Sequence, residues 1–364
     1  MGIEMGRNFL HFTMMIPPVF STMLDFEEQF KTEEDCYDYL RKFKWPEGYC
    51  CPRCEHPKAW TSARGMMICR KCEHHNSLTA GTIFHGSRKP LKLWFRAMWY
   101  VTEQKNGVSA LGLQRALGLG SYHTAWTWLH KLRCAMVRPG RDRLSGVVEV
   151  DEAFYGGVKK GKRGRGADGK ALVFIATEDK DGVPGRIRMT QIWDASSESL
   201  MAALKETVEP GSVVRTDGWK GYAGTTNAGY KHEIITKEKA VIGENLLPMA
   251  HLNISLFKRW LLGTHQGAIG HDHIGYYLDE FTFRFNRRKS KSRGLLFQRL
   301  VENAIQIDPV TEGIQCFMEP SAAGGTEVEM GSCWRVQLGA LYPVQGLTRH
   351  KATRGCLLMI MPAS

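Results

Sequence analysis

Two kinds of hydrophobic periodicity divide the chain into a helical part and a part that alternates strands with helices. Apolar residues recur at helical spacing through residues 89–136, and a glycine-containing turn at 119–122 separates two helices near the end of this segment. A helix, a short turn and a second helix are typical of a helix-turn-helix, in which the second helix enters the major groove of DNA. An ordinary helical hairpin has the same periodicity, so the pattern alone leaves both structures open.

Residues 146–219 alternate between strand-like and helix-like patterns. The predicted elements are strands at 146–157, 171–179 and 185–195, an amphipathic helix opened by serines at 196–208, and a fourth strand at 211–219. Three consecutive strands, a helix and a fourth strand form a ribonuclease-H-like order. A Rossmann fold is disfavoured because no Gly-x-Gly-x-x-Gly follows the first strand.

Two aspartates lie in predicted strands of this core. Asp151 falls in the middle of the first strand and Asp217 at the end of the fourth, and the ribonuclease-H-like order makes these strands neighbours. Carboxylates at the centre of a sheet repel each other unless a cation lies between them, and oxygen ligands favour magnesium or manganese. Because two such metals can clamp an in-line phosphoryl displacement, the pair predicts a phosphoryl-transfer site. Either residue alone is equally compatible with a structural role, Asp151 at a bulge and Asp217 at the start of the turn DGWKGY.

The residues at 247–267 predict a further helix, which would supply a third metal ligand. His251 and Lys258 share one edge of this helix, two turns apart. The other acid of the first strand, Glu152, directly follows Asp151 and should therefore point to the opposite face of the sheet.

Four cysteines form a separate metal-binding pattern near the N-terminus. Cys51 and Cys54 form one Cys-x-x-Cys pair, and Cys69 and Cys72 form a second pair after fourteen intervening residues. Each pair places two thiolates on one tight turn, and four thiolates suit tetrahedral zinc. Additional candidate ligands are Cys50, His56, His74 and His75. The predicted fold class is therefore α/β, with a ribonuclease-H-like mixed sheet core preceded by a zinc ribbon and a helix-turn-helix.

The distribution of charge predicts a polyanionic partner. The formal net charge is +12 at pH 7, and residues 85–145 hold eleven Lys and Arg against two acids, while residues 284–299 hold seven and no acid. Such clusters favour nucleic acid, although solvated basic faces are the structural alternative. The candidate DNA-contacting residues are Tyr122, His123, Thr124, Lys131, Arg133, Lys162, Arg163, Arg165, Lys258, Arg259, Arg287 and Arg288.

The sequence does not predict a membrane protein. No run of eighteen apolar residues is present, and Pro17-Pro18 breaks the short apolar stretch near the N-terminus, which makes it a poor signal peptide. The ten cysteines are not spaced as a disulfide framework. We therefore expect a cytoplasmic, nucleoid-associated protein.

These motifs together resemble the bacterial insertion-sequence transposases of the DDE class, in the subgroup with a zinc ribbon before an ISXO-type transposase domain. The resemblance spans about residues 24–305; its matching stretches are CPRC…CRKC, SALGLQRALGLGSYHTAWTWLHKLRCAM, VEVDEAFYGG, RTDGWKGY and, most specifically, the segment from His251 to Leu300. The family implies a ribonuclease-H-like enzyme that cuts DNA at element ends and joins the freed 3′ hydroxyl to a target strand. It further implies structural zinc, catalytic magnesium or manganese, the terminal repeats and target DNA as double-stranded partners, and a homodimer or higher oligomer on DNA.

The resemblance also assigns the catalytic residues. Asp151 and Asp217 match the two aspartates of the class, and Lys258 matches the basic residue seven positions after the third ligand. That ligand is a glutamate in the class name, whereas this chain has His251, as some members of the subgroup have histidine or asparagine. Imidazole binds magnesium or manganese only as a neutral, softer ligand, which makes the metal preference less certain. Glu244, the nearest acid upstream, is the alternative third ligand.

Two other functions stay open at this point: a DNA-binding regulator with a dead catalytic core, and a host nuclease with the same core but no strand transfer. The presence of both aspartates and of Lys258 argues against the regulator, and only His251 favours it. The predicted domains are a disordered extension at 1–23, a zinc ribbon region at 24–82, a helical DNA-binding domain at 88–140, the catalytic domain at 145–305 and a tail of unknown role at 306–364.

Overall fold

A computed structural model of the protein describes residues 20–62, 65–138, 140–156, 170–235, 246–267 and 269–309. All of them belong to one unit of the chain, which extends to Pro320. The helices are α1 (Met23–Gln29), α2 (Glu33–Lys44), α3 (Leu91–Glu103), α4 (Ala110–Leu117), α5 (Tyr122–Ala135), α6 (Ser197–Thr207), α7 (Pro248–His265), α8 (Ile274–Asn286) and α9 (Arg293–Gln306). The strands are β1 (Ala59–Thr61), β2 (Met67–Cys69), β3 (His75–Asn76), β4 (Val147–Tyr155), β5 (Ala171–Lys180), β6 (Val183–Ile192), β7 (Val213–Thr216) and β8 (Lys231–Ile234).

The four predicted zinc ligands meet beside a small antiparallel sheet of order β1-β2-β3. The Sγ atoms of Cys51 and Cys72 are 3.6 Å apart, as are those of Cys54 and Cys69, and all four sulfurs lie within 4.8 Å of one another. A tetrahedral zinc ion with bonds of about 2.3 Å separates its sulfur ligands by about 3.8 Å. The thiol set therefore fits one structural zinc ion, and the zinc-ribbon prediction is confirmed.

The two Cys-x-x-Cys pairs are each followed by a backbone turn of the same kind. Glu55 and Glu73, the residues directly after the two pairs, have φ angles of 57° and 55°. Their N–H groups donate to the carbonyls of Cys51 and Cys69 at 2.8 and 3.1 Å, which closes a tight turn around each pair of thiols. The additional candidate ligands lie outside the cluster of four: Cys50, His56, His74 and His75.

An aromatic core joins the N-terminal helices to α9. The ring of Phe297 on α9 lies 5.4 to 5.7 Å from those of Phe20, Phe26, Phe30 and Phe95. Phe20 is buried here, although residues 1–23 were predicted as a disordered extension; residues 1–19 of that extension lie outside the described part of the chain. Packing of α9 against helices from the start of the chain thus brings the two ends of the described sequence together.

The two helices of the predicted helix-turn-helix are α4 and α5, which a short turn joins. Gly118 ends α4 in the left-handed region, with φ of 62°, a conformation that glycine adopts without steric cost. Ser121 then caps α5 by accepting a hydrogen bond from the Thr124 N–H at 3.1 Å. Trp128 of α5 stacks on Trp94 of α3, with ring centroids 3.8 Å apart, so the pair of helices is held on α3.

The core sheet has the order β6-β5-β4-β7-β8. β4 pairs antiparallel with β5 and β5 with β6, whereas β4 and β7, and β7 and β8, are parallel. These strand directions and this order agree with the predicted ribonuclease-H-like mixed sheet. One face packs on α6 and the other on α7 and α8, as expected for a sheet whose strands alternate buried side chains between two layers.

A buried ion network connects α5 to α8. Arg133 donates through Nε to Glu280 Oε2 at 2.8 Å, and Arg284 donates to Glu280 Oε1 at 2.9 Å. Burial alone would raise the pKa of Glu280, but Arg284 and Arg133 hold that pKa at about 2. The prediction that Arg133 contacts phosphate is wrong, because its side chain is 2% exposed and its guanidinium lies over the ring of Tyr277 at 4.1 Å.

Within the described residues, every helix is too short or too polar to cross a lipid bilayer.

Chelation of zinc should unfold about residues 45–80 and leave the sheet core folded, because the ribbon is too small to be stable without its metal. Amide exchange before and after chelation would measure this. The adjacent residues Cys51 and Cys50 provide a matched comparison: Cys51→Ser should lose zinc by elemental analysis, while Cys50→Ser should keep it. Reduced protein that contains neither zinc nor iron would contradict the site.

The stability of the helical part should fall as the pH is lowered below about 6.5, the ordinary pKa of histidine. Burial, with Arg133 and His273 nearby, lowers the pKa of His130 to about 3 in the folded state. Below the ordinary pKa the unfolded chain therefore binds a proton that the folded protein excludes, which costs up to about 1.4 kcal/mol per pH unit. Urea unfolding at pH 7, 6 and 5 should show a smaller pH dependence in His130→Phe; an unchanged dependence would disprove the assignment.

Candidate functional site

The parallel pairing of β4 and β7 makes the strand of Asp151 a neighbour of the strand that Asp217 directly follows. Val147, Val148 and Glu149 pair with Val213, Val214 and Arg215. Continuing this register by two residues sets Asp217, the residue after β7, opposite Asp151. Residues opposite each other in a ladder point to the same face, so this alignment would direct Asp217 to the face on which Asp151 meets α7.

His251 approaches Asp151 from the first turns of α7. Its Nε2 lies 3.2 Å from Asp151 Oδ2, with the aspartate side chain 15% exposed and the histidine 46% exposed. The hydrogen bond that His251 donates to the Asp151 carboxylate raises the pKa of His251, and burial partly offsets this effect. The negative charges of Asp151, Glu149 and Asp217 raise the pKa further. Of the predicted triad, His251 and Asp151 are therefore in direct contact, and Asp217 is close enough for its charge to act on His251.

The donor atoms of this triad suit a hard divalent cation. Two neighbouring ligands of an octahedral magnesium ion, with bonds of about 2.1 Å, are about 3 Å apart. The 3.2 Å separation of Asp151 Oδ2 and His251 Nε2 is close to this value. Asp217 is arranged differently: its Oδ1 accepts a hydrogen bond from the Trp219 N–H at 3.0 Å. Of the described residues, only the four ribbon cysteines form a cluster of three or more ligands within 4.8 Å, so the triad is more open than the zinc site.

Glu152 points away from the triad, as the alternation of the strand predicts. Its Oε2 accepts a hydrogen bond from the Tyr222 hydroxyl at 2.9 Å. Tyr222 belongs to the hydrophobic layer between the sheet and α6. The alternative third ligand, Glu244, lies outside the described residues.

Lys258 and Arg259 extend the exposed edge of α7 that begins at His251. The Lys258 ammonium lies 5.7 Å from the centroid of the Tyr155 ring, on the same face as Asp151. This position leaves the charge two turns of helix from His251, beyond contact with a metal at Asp151.

The exposed end of α5 forms one side of a basic groove. His123, Thr124 and Lys131 line it from α5, and the connection before α3 lines it with His85, Arg88 and Lys89. Tyr122 is also exposed at this end of the helix. The sequence did not identify the residues of this connection as part of a DNA-binding site, and only the regional excess of charge pointed to them. Nothing local in the sequence shows that 85–89 folds back onto α5.

The remaining candidate DNA contacts differ in their surroundings. Arg287 and Arg288 lie over the rings of Phe283 and Phe285 at 4.1 and 3.9 Å, and Arg288 also donates to the Gly185 carbonyl at 3.2 Å. Both arginines thus have structural contacts, and their role on DNA stays a prediction. Three of the candidates lie outside the described residues: Lys162, Arg163 and Arg165.

Two family models match the chain, and one curated relative is similar over most of its length. An ISXO2-like transposase domain matches residues 143–286, and a transposase zinc-ribbon domain matches residues 31–75. A protein of Halobacterium salinarum described as an uncharacterized protein in transposable element ISH50 is 25% identical over 285 residues, which is 70% of this chain and 91% of that protein.

The two matched segments contain the metal-ligand candidates at both sites. The zinc-ribbon match includes all four clustered cysteines, and the transposase match includes Asp151, Asp217 and the helix of His251 and Lys258. The chain therefore carries a segment that matches the ISXO2-like transposase domain, preceded by a segment that matches the transposase zinc ribbon.

Proposed function

We propose that the protein binds the ends of an insertion sequence, cleaves DNA there, and joins the freed 3′ hydroxyl to target DNA. The observation that carries this proposal is the contact between His251 Nε2 and Asp151 Oδ2 beside the register-aligned Asp217. We further propose that the protein acts as a homodimer or higher oligomer on DNA in the cytoplasm, because transposition requires two element ends.

The triad would hold one or two divalent cations through two carboxylates and one neutral imidazole. Magnesium or manganese bound there would supply Lewis-acid activation of the scissile phosphate and of the attacking oxygen. Asp151 and Asp217 contribute the negative charge that such an ion needs, and His251 contributes a neutral nitrogen. Lys258, a point charge two turns along α7, is placed to bind a phosphate that neighbours the reacting one.

The groove between α5 and residues 85–89 is the proposed contact for the DNA backbone. Arg88, Lys89 and Lys131 bring three cationic side chains to it, and none of the described residues that line it is acidic. Backbone contacts of this kind fix position without reading sequence. Tyr122, His123 and Thr124 at the start of α5 are the candidates for contacts to bases, as expected for the second helix of a helix-turn-helix.

One observation favours the alternative function, a DNA-binding regulator with an inactive core. His251 replaces the glutamate of the class, and its pKa is raised by Asp151, so a proton can occupy the nitrogen that a metal would use. The catalytic substitutions below separate the two functions, since a regulator would bind element ends without nicking them.

Asp151→Asn and Asp217→Asn should keep DNA binding and abolish cleavage, because an amide lacks the charge that holds a divalent cation. His251→Ala should lower magnesium-supported cleavage by orders of magnitude, whereas His251→Glu should sustain or raise it. The measurement is nicking and joining of labelled DNA that flanks the gene of this protein, with binding followed separately by mobility shift.

Asp181→Asn is a matched control for the aspartate variants, because Asp181 lies in the exposed turn between β5 and β6 at a positive φ that asparagine tolerates. It should leave both binding and cleavage unchanged. If His251→Ala cleaves as well as the parent, His251 is not a ligand and Glu244 becomes the first candidate.

The affinity for DNA should fall steeply with salt, and the slope should shrink when groove cations are removed. Each phosphate contact contributes a slope of about −0.9 in the logarithm of affinity against the logarithm of salt. Arg88→Gln and Lys131→Gln should each therefore reduce the slope by about one unit. Fluorescence anisotropy at several salt concentrations would measure it.

Lys205→Gln, an exposed lysine on α6, is the control and should not change the slope. Arg133→Met should likewise keep the slope, since Arg133 is buried against Glu280, and should reduce stability instead. Binding that does not depend on salt, or a slope lowered by Arg133→Met alone, would contradict the proposed groove.

A further inference from the structure

Glu149 is a buried acid on the same face of β4 as Asp151, two residues earlier. Its side chain is 3% exposed, and its Oε2 accepts hydrogen bonds from the N–H groups of Met249 at 2.8 Å and Ala250 at 3.0 Å. These two amides belong to the first turn of α7. The carboxylate thus binds the backbone of the two residues that directly precede His251 in the chain.

The start of α7 lacks a local cap. Leu247, the N-cap residue, has no side-chain acceptor, and Pro248 at the first helical position has no N–H. The next two amides, of Met249 and Ala250, have no partner within the helix and need one. Glu149 supplies it from the sheet, and its negative charge also lies at the positive end of the helix dipole.

A second contact ties the same turn to the neighbouring strand. Asn253 donates through Nδ2 to the Thr177 hydroxyl at 3.0 Å and to the Met249 carbonyl at 3.0 Å. Thr177 is the residue that pairs with Glu149 between β4 and β5. Both Asn253 and Thr177 are fully buried, so two adjacent strands hold the first turn of α7 from below.

The contacts of Glu149 argue against a role as a metal ligand. The same oxygen receives both amide hydrogens, and the side chain is sealed from solvent. Arg215, which pairs with Glu149 between β4 and β7, donates its hydrogen bonds to Glu233 at 2.9 Å and to Asp179 at 3.0 Å and not to Glu149. The Glu149 carboxylate instead contacts the first turn of α7, the helix that carries His251.

We propose that Glu149 is a positioning residue, which fixes the N-terminal turn of α7 so that His251 Nε2 lies beside the Asp151 carboxylate. The assignment of His251 as a metal ligand rests on the proposed function, whereas the attachment of α7 to Glu149 does not. The two parts can therefore be tested separately.

The attachment is tested by amide exchange on zinc-loaded protein. Glu149→Ala should speed exchange of the amides at 249–251, and Glu149→Gln, which keeps an acceptor oxygen of the same reach, should retain most of the protection. Glu178→Ala is the matched control: Glu178 is equally buried in β5 but bonds to Arg186 and the Ser145 N–H. Unchanged exchange in Glu149→Ala, or equal acceleration in Glu178→Ala, would overturn the proposal.

The action through His251 is tested by a double-mutant cycle on Mn²⁺ affinity. Glu149→Ala should weaken Mn²⁺ binding about 10- to 100-fold, as is usual for groups that orient a ligand, and should have little further effect in His251→Ala. An equal loss in both backgrounds would mean general damage and would overturn the positioning role. If the parent protein neither binds Mn²⁺ at this site nor cleaves DNA, the proposed function fails, while the exchange comparison still decides whether Glu149 holds α7.

Discussion

The alternation of side chains along β4 is the constraint from which the geometry of the candidate active site follows. Val148 and Val150 point into the layer beneath α6, so the acids between and after them, Glu149 and Asp151, must point to the α7 side. Shifting the register by one residue would bury the valines against α7 and turn both carboxylates into the α6 layer. The apolar residues of the strand thus select the face on which the acids meet the helix of His251.

Polar contacts attach the helical part of the chain, α3 to α5, to the sheet core, and two of them are made by α7, the helix that carries His251. Trp260 and Thr264 of α7 both donate to the Asn106 carbonyl, at 2.9 and 2.6 Å, in the turn before α4. Arg284 of α8 donates to carbonyls of the same region while it pairs with Glu280. The pair of helices α4 and α5 and the helix of the candidate active site are therefore fixed to a common turn, so the groove and the triad keep a defined relation within the described residues.

The features of this protein that its sequence predicts are those determined within short segments, and contacts between distant segments are not among them. The ribbon, the helix pair and the strand order were predictable because Cys-x-x-Cys turns, glycine breaks and strand patterns lie within short segments. Arg133 was assigned wrongly because its partner Glu280 is 147 residues away, and a basic residue at the end of a predicted DNA-binding helix gives no local sign of burial. The packing of Phe297 on Phe20 and the capping of α7 by Glu149 were not predicted for the same reason.

A histidine at position 251, where the transposase class that the chain resembles has glutamate, is consistent with the charge already present on this face. Glu149, Asp151 and Asp217 all influence the imidazole, and Asp151 contacts it directly. A fourth carboxylate would add repulsion among acids that are partly removed from water, whereas a neutral imidazole adds a donor atom without further negative charge. The same acids favour a proton on that nitrogen when no cation is bound. A metal bound at this site would therefore compete with a proton for His251, and the contact of Glu149 with the first turn of α7 lies directly beside that nitrogen's residue in the chain.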